Sequence, residues 1–187
     1  VQALFSNRML FFALIVGELI LVIYLSRRIM NLSPGAAAGG FALYAALNGV
    51  TLSLIFLVYT GTAITRVFFI TAGTFAGVSL YAATTRRDLS GIGQYLIMGL
   101  WGVIIASLVN FFLRSETLYW VISYIGVAVF IGLTAYDTQI IKRWSAEHSQ
   151  SVGESDYMRL SILGALKLYL DFINLFLFFL RIFGRRR

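Results

Sequence analysis

Apolar residues run through this chain in long, almost unbroken stretches, and polar residues collect in the short gaps between them. Six stretches reach the roughly 20 residues that an α-helix needs to cross a bilayer: Met9–Ile29, Gly35–Tyr59, Thr62–Thr85, Gly91–Leu113, Leu118–Ile141 and Tyr157–Phe183. They are too long and too continuous for the alternation of a β-barrel strand. Ser33-Pro34 reads as a helix start ahead of the second run, and Asp88 and Ser90 as caps ahead of the fourth. The second and third runs form a tight hairpin. The one long polar link is "KRWSAEHSQSVGESD", Lys142–Asp156. No residues are left over for a soluble domain and no internal repeat stands out, so residues 1–187 read as a single transmembrane domain of the all-α class, a polytopic helical bundle.

Composition agrees. Of the 187 residues, 59% are hydrophobic and only 12% charged, about half the charged share of an ordinary globular chain, and mean hydropathy is +0.85. The net charge of +7 could suggest a nucleic-acid partner. The basic residues, however, sit at the ends of apolar runs, which is the membrane-topology pattern, so the partner is the lipid bilayer and not nucleic acid. With no Cys, a disulfide or thiolate metal site is excluded, and with a single His, His148, in the polar link, no histidine metal site is expected. The first run is too long for a signal peptide and lacks a cleavage motif.

Lys and Arg set the orientation. Arg27 and Arg28 follow the first run, Arg86 and Arg87 the third, Lys142 and Arg143 the fifth, so these three links are expected in the cytoplasm. A full crossing by the last run would then carry Arg181 and Arg185–Arg187 to the other side, against the rule, and this leaves open which side the C-terminus faces. Gly73 and Gly77, together with the "GLWG" and "GG" stretches, are read as helix-packing positions.

The polar residues inside the runs carry the candidate chemistry. Arg66 lies close enough to a helix start to snorkel. Glu18 sits halfway along the first run, and Asp137 within about a turn of the end of the fifth. In "ALKLYLDFINLFLFFLRIF", Ala165–Phe183, Lys167 and Asp171 are four apart and Asn174 continues the same face. An ionised side chain at bilayer depth costs at least ~2.5–3.5 kcal/mol, so that face must point into the bundle. Either a Lys–Asp pair fixes the packing, or Asp171 meets a second carboxylate, Asp137 on the preceding helix. Two carboxylates in contact cannot both ionise cheaply and share one proton. No HExxH, GxSxG or nucleophile–base set appears, and the "GxGD" of aspartyl intramembrane proteases is absent, so no enzyme is expected.

"AYDTQIIKR" (Ala135–Arg143), "LYLDFINLFLFFLRIFG" (Leu168–Gly184) and "TTRRDLSGIGQYLIMGLWGVIIASLVNFFL" (Thr84–Leu113) resemble segments of the transmembrane Bax inhibitor motif family in its bacterial branch. The resemblance implies a fold of seven helices with the apolar last helix at the centre. Glu18 is similar to the glutamate of the family's second helix, which implies that the first helix is absent from this sequence. It implies further a pH-sensitive calcium leak channel in the bacterial cytoplasmic (inner) membrane, needing no cofactor, with Ca²⁺ as the ion carried. By the same resemblance Asp137 and Asp171 are the pH sensor and the cation ligands, Arg27 or Arg28 the latch, and Glu18 a residue of the cation path, with Lys167 and Asn174 in support. The alternative is a regulator without channel activity that binds a membrane protease or a stress-response complex, using the 142–156 link and the basic tail. A proton-coupled transporter is disfavoured by the lack of an inverted repeat.

Overall fold

The computed structural model describes residues 8–148 and 153–185. The chain folds as α1 (Arg8–Arg28), α2 (Pro34–Leu52), a short α3 (Ile55–Val58), α4 (Gly61–Thr84), α5 (Gly93–Leu113), α6 (Glu116–His148) and α7 (Glu154–Phe183). Among the described residues five segments are long and apolar enough to span a membrane: Pro34–Val58, Gly61–Thr84, Ser90–Leu113, Glu116–Ala146 and Glu154–Phe183. The first apolar run forms α1, of 21 residues.

Local chemistry sets the boundaries. Pro34 takes the first position of α2, and Ser33 caps it by accepting the Ala36 N–H at 3.2 Å. The second run is not one continuous helix. At its end the Ser53 hydroxyl donates to the Val50 carbonyl at 2.6 Å, a side-chain bond that competes with the helical ladder, and α3 follows as a separate turn. Thr60 caps α4 through the Ala63 N–H. Asp88 accepts the Ser90 N–H at 2.8 Å, but a 3-10 turn, Ser90–Ile92, lies between this bond and α5, so neither Asp88 nor Ser90 caps the helix itself. Arg114 ends α5 in the left-handed region, φ 51°, and Asn110 takes the Ser115 N–H in the tight link to α6.

The link expected over Lys142–Asp156 is mostly helix. The fifth run continues as α6 to His148, and α7 begins at Glu154. Lys, Arg, Ala and Glu in "KRWSAEH" are good helix formers, and extending a nucleated helix is easy. At the other side of the link, Glu154 and Asp156 occupy the first turn of α7, where negative charge complements the helix dipole.

At 30 residues α7 is about 45 Å long. It packs against α6, α4 and α2 and buries Leu166, Leu175, Phe178 and Leu180, which makes the very apolar last helix the centre of the bundle. A Cβ on Gly126 of α6 would stand 2.5 Å from Phe178, and one on Gly164 of α7 3.0 Å from Ile141, so glycines let these two backbones close together. Gly73 and Gly77 have no such neighbour within 4 Å; the tight packing expected of them falls to Gly126, Gly132 and Gly164. The end of α7 lies beside the α3–α4 link, where Thr60 N–H donates to the Arg185 carbonyl at 3.3 Å. Arg181 and Arg185 therefore sit at the face opposite Arg27, Arg87 and Arg143. The last helix crosses the whole bundle despite its basic end, because its packing against α6 and α4 runs along most of its length.

Candidate functional site

Two polar networks lie inside the bundle, on different faces of α7. Lys167, Asp171, Asn174, Phe178 and Arg181 follow one another at alternating four- and three-residue steps, the spacing of one helical stripe. All five line a cavity of about 810 Å³, walled otherwise by α5, α6 and the end of α1. Asp137 enters from α6. It is buried, 5% exposed, and the Lys167 ammonium donates to its Oδ1 at 2.9 Å.

Asp171 is 4% exposed and lies within electrostatic reach of both Asp137 and Lys167. Its Oδ2 is fully buried and has no hydrogen-bond partner. Asn174, one turn further, donates its side-chain N–H to the Leu170 carbonyl at 2.8 Å, which leaves its Oδ1 as an acceptor. The structure thus gathers Asp137, Asp171, Lys167 and Asn174 in one place. Among the described residues no third acidic or histidine side chain joins the two aspartates. A tight Ca²⁺ cage takes six to eight oxygens; the side chains gathered here offer fewer.

The two latch candidates lie elsewhere. Arg27 and Arg28 are exposed at the end of α1, and no hydrogen bond or ion pair joins either to the aspartates. Their neighbour Ser26 is the α1 residue that lines the cavity. The cation beside Asp137 is Lys167, which reaches it because residues 137 and 167 lie on the tightly packed α6–α7 pair. Arg66 is exposed, as a snorkelling residue should be.

Glu18 is buried but belongs to the second network. It accepts from the Asn48 amide at 3.3 Å and from the Thr51 hydroxyl, and Tyr169 donates to Asn48 Oδ1 at 3.1 Å. This chain ties α1 to α2 and α7, and Glu18 does not line the cavity. The sequence held a signal for it: Asn48 and Thr51 are three apart on one helix face, and Tyr169 is two residues from Asp171, so it points to another side of α7.

Two further features escaped the sequence reading. Arg181, at the far end of the cavity, holds its guanidinium over the rings of Phe178 and Tyr119, 5.0 and 5.9 Å from their centres. At the opposite, basic face, buried Gln139 of α6 donates to the Arg87 carbonyl at 2.8 Å and accepts the Leu89 N–H at 2.7 Å, and Arg143 pairs with Asp88. Asp88 is pulled down to about 2, first by the Ser90 backbone N–H, then by the Ser90 hydroxyl and by Arg143. This clasp fixes the α4–α5 link to α6 two residues from Asp137.

Comparison with known proteins places these features in a family. The model of the family described as inhibitor of apoptosis-promoting Bax1 matches residues 1–187. The chain is 55% identical over 186 residues to the inner membrane protein YbhL of Escherichia coli, covering 100% of this chain and 79% of that protein. It is 50% identical to a Borreliella burgdorferi protein, covering 98% of this chain and 78% of that one. A membrane protein of Streptococcus pyogenes is 40% identical, with 99% and 79% covered. A bundle of apolar helices around a buried aspartate-bearing last helix, matched along its whole length, makes this chain a member of the Bax inhibitor family, integral to the bacterial inner membrane.

Proposed function

We propose that the chain is a pH-sensitive calcium leak whose sensor is Asp171 together with the Asp137–Lys167 pair. The observation that carries this reading is the buried, unpartnered Oδ2 of Asp171 inside the cavity. Lys167 is already engaged by Asp137. A lone carboxylate charge at bilayer depth must be offset, and either a proton or an incoming cation can do it. Exchange of one for the other couples cation occupancy to pH, and Lys167, within reach of both carboxylates, can shift between them as the charge changes. The resemblance to a family described as calcium leaks supports Ca²⁺ as the ion, and the all-oxygen donor set suits a hard cation. Arg181 lines the same cavity with its guanidinium over Phe178 and Tyr119, and in this reading a cation passes when that guanidinium leaves its place.

The test is Ca²⁺ entry into dye-loaded proteoliposomes between about pH 6 and 8, a range in which a coupled carboxylate pair can titrate, for the parent chain and Asp171→Asn. Flux that varies with pH in the parent and loses that variation in the variant is expected. Folded protein that passes no Ca²⁺ at any pH sinks the leak and turns attention to a regulator that acts by binding a membrane protein.

A further inference from the structure

The clasp at the basic face borders a second cavity, of about 250 Å³, between the α4–α5 link and the C-terminal part of α6. Its wall carries four cations, Arg86, Arg87, Lys142 and Arg143, and a single acid, Asp88. No wall residue comes from α1, α2 or α7. Membrane orientation accounts for Lys and Arg at this face. It does not account for four of them folded around one hollow, where like charges repel.

Hydrogen bonds show what the hollow lacks. Lys142 donates to the Ala83 carbonyl in the last turn of α4. Arg143 pairs with Asp88, which also accepts the Ser90 N–H. The one carboxylate is thus engaged. The donors are not used up: the guanidinium groups of Arg86 and Arg87 have no hydrogen bond or ion pair among the described residues, and the Lys142 ammonium has N–H donors to spare. The unmet demand is for an anion with several acceptor oxygens, and phosphate matches the guanidinium fork. Depth gives its source. The apolar spans Gly61–Thr84 and Glu116–Ala146 end here and Ser90–Leu113 begins, so the hollow lies at the headgroup layer, where lipid phosphates stand.

We propose that this hollow binds the phosphate of an anionic phospholipid, with Arg86 and Arg87 as its ligands, Lys142 in support and Gln139 holding the link in place for it. The site shares no residue with the Asp171 cavity, so it stands or falls independently of the leak.

The experiment is native mass spectrometry of the full chain in detergent, titrated with dioleoylphosphatidylglycerol or dioleoylphosphatidylcholine. One phosphatidylglycerol per chain should be retained at concentrations about tenfold below those needed for phosphatidylcholine, the worth of one charge-assisted hydrogen bond. Arg86→Gln with Arg87→Gln should abolish that preference. Arg27→Gln with Arg28→Gln removes the same charge from the same face and should keep it. Asp88→Asn, which removes the only acid of the wall and frees Arg143, should tighten binding several-fold, a gain that no folding defect can imitate. Equal retention of the two lipids overturns the proposal. So does equal loss in the two arginine pairs, the mark of diffuse surface charge, or binding no tighter in Asp88→Asn. Displacement of the lipid by millimolar inorganic phosphate overturns the lipid as the source and leaves a site for a soluble phosphate.

Discussion

The Lys167 ammonium donates to Asp137 on the neighbouring helix at 2.9 Å, while Asp171, one turn further along its own helix, keeps a buried oxygen with no partner. The cation that four-residue spacing would assign to Asp171 is thus taken by the other aspartate. This division of charge decides what each substitution in the cavity should do.

Replacing Lys167 by Met strands the Asp137 carboxylate, whose side chain is only 7% exposed. A buried group that loses its partner costs about 1–3 kcal/mol; the lysine's own partial exposure argues against a larger figure. Lys167→Met should therefore lower stability in detergent by about that amount, and Lys167→Met combined with Asp137→Asn should recover much of it. Denaturant unfolding of the two single variants and the double variant gives the coupling directly. Additive losses would mean that the pair contributes nothing.

The pH response should reside in the cavity and not in the clasp at the basic face. Asp88 is held at about 2, below its ordinary 3.8. Its contribution is fully present above the ordinary value and is lost only as pH falls through the lowered one, so it is constant across the neutral range. Proteoliposomes carrying Asp88→Asn should keep the slope of flux against pH between about 6 and 8 that a coupled carboxylate pair supplies. Asp171→Asn should flatten it. The reverse result would move the sensor to the α4–α5 link.

Glu18 gives a contrasting expectation. It accepts from Asn48 and Thr51 in the network between α1, α2 and α7 and lies off the cavity. Glu18→Gln keeps an acceptor for one of these donors, so a stability change of about 1 kcal/mol or less is expected, and Ca²⁺ flux should be unaltered. A loss of flux in folded Glu18→Gln protein would put Glu18 back on the cation path, where the resemblance had placed it.

The helices and the inward face of the last one were legible because a membrane leaves only helix or closed barrel, and period 3.6 then fixes which residues share a face. That is why Asp171, Lys167 and Asn174 could be grouped, and why Arg181, on the same stripe, could have been added. Which partner each charge takes was not legible. Spacing along α7 is equally compatible with Lys167 on Asp171 or on Asp137; the choice is made by the approach of α6, which depends on Gly126 and Gly164 meeting Phe178 and Ile141. The extension of α6 to His148 is not legible in the sequence because polarity marks the end of the membrane and not the end of a helix.

Gln139 tests whether the basic face holds the site in place. Its side chain answers two backbone groups of the α4–α5 link, the Arg87 carbonyl and the Leu89 N–H. Both would lack a partner in Gln139→Leu, at about 1–3 kcal/mol in total once water reaches the exposed link. The Arg143–Asp88 pair beside it is half exposed, with side chains 41% and 64% accessible, and solvent screening leaves such a pair little weight in stability. Arg143→Gln should therefore be nearly silent, while Gln139→Leu should free the link. Trypsin added to inside-out vesicles should then cut after Arg86 or Arg87 several-fold faster in Gln139→Leu than in either the parent or Arg143→Gln. Equal cutting in all three would show that the link is held by its flanking helices alone, and that the amide two residues from Asp137 has no part in positioning it.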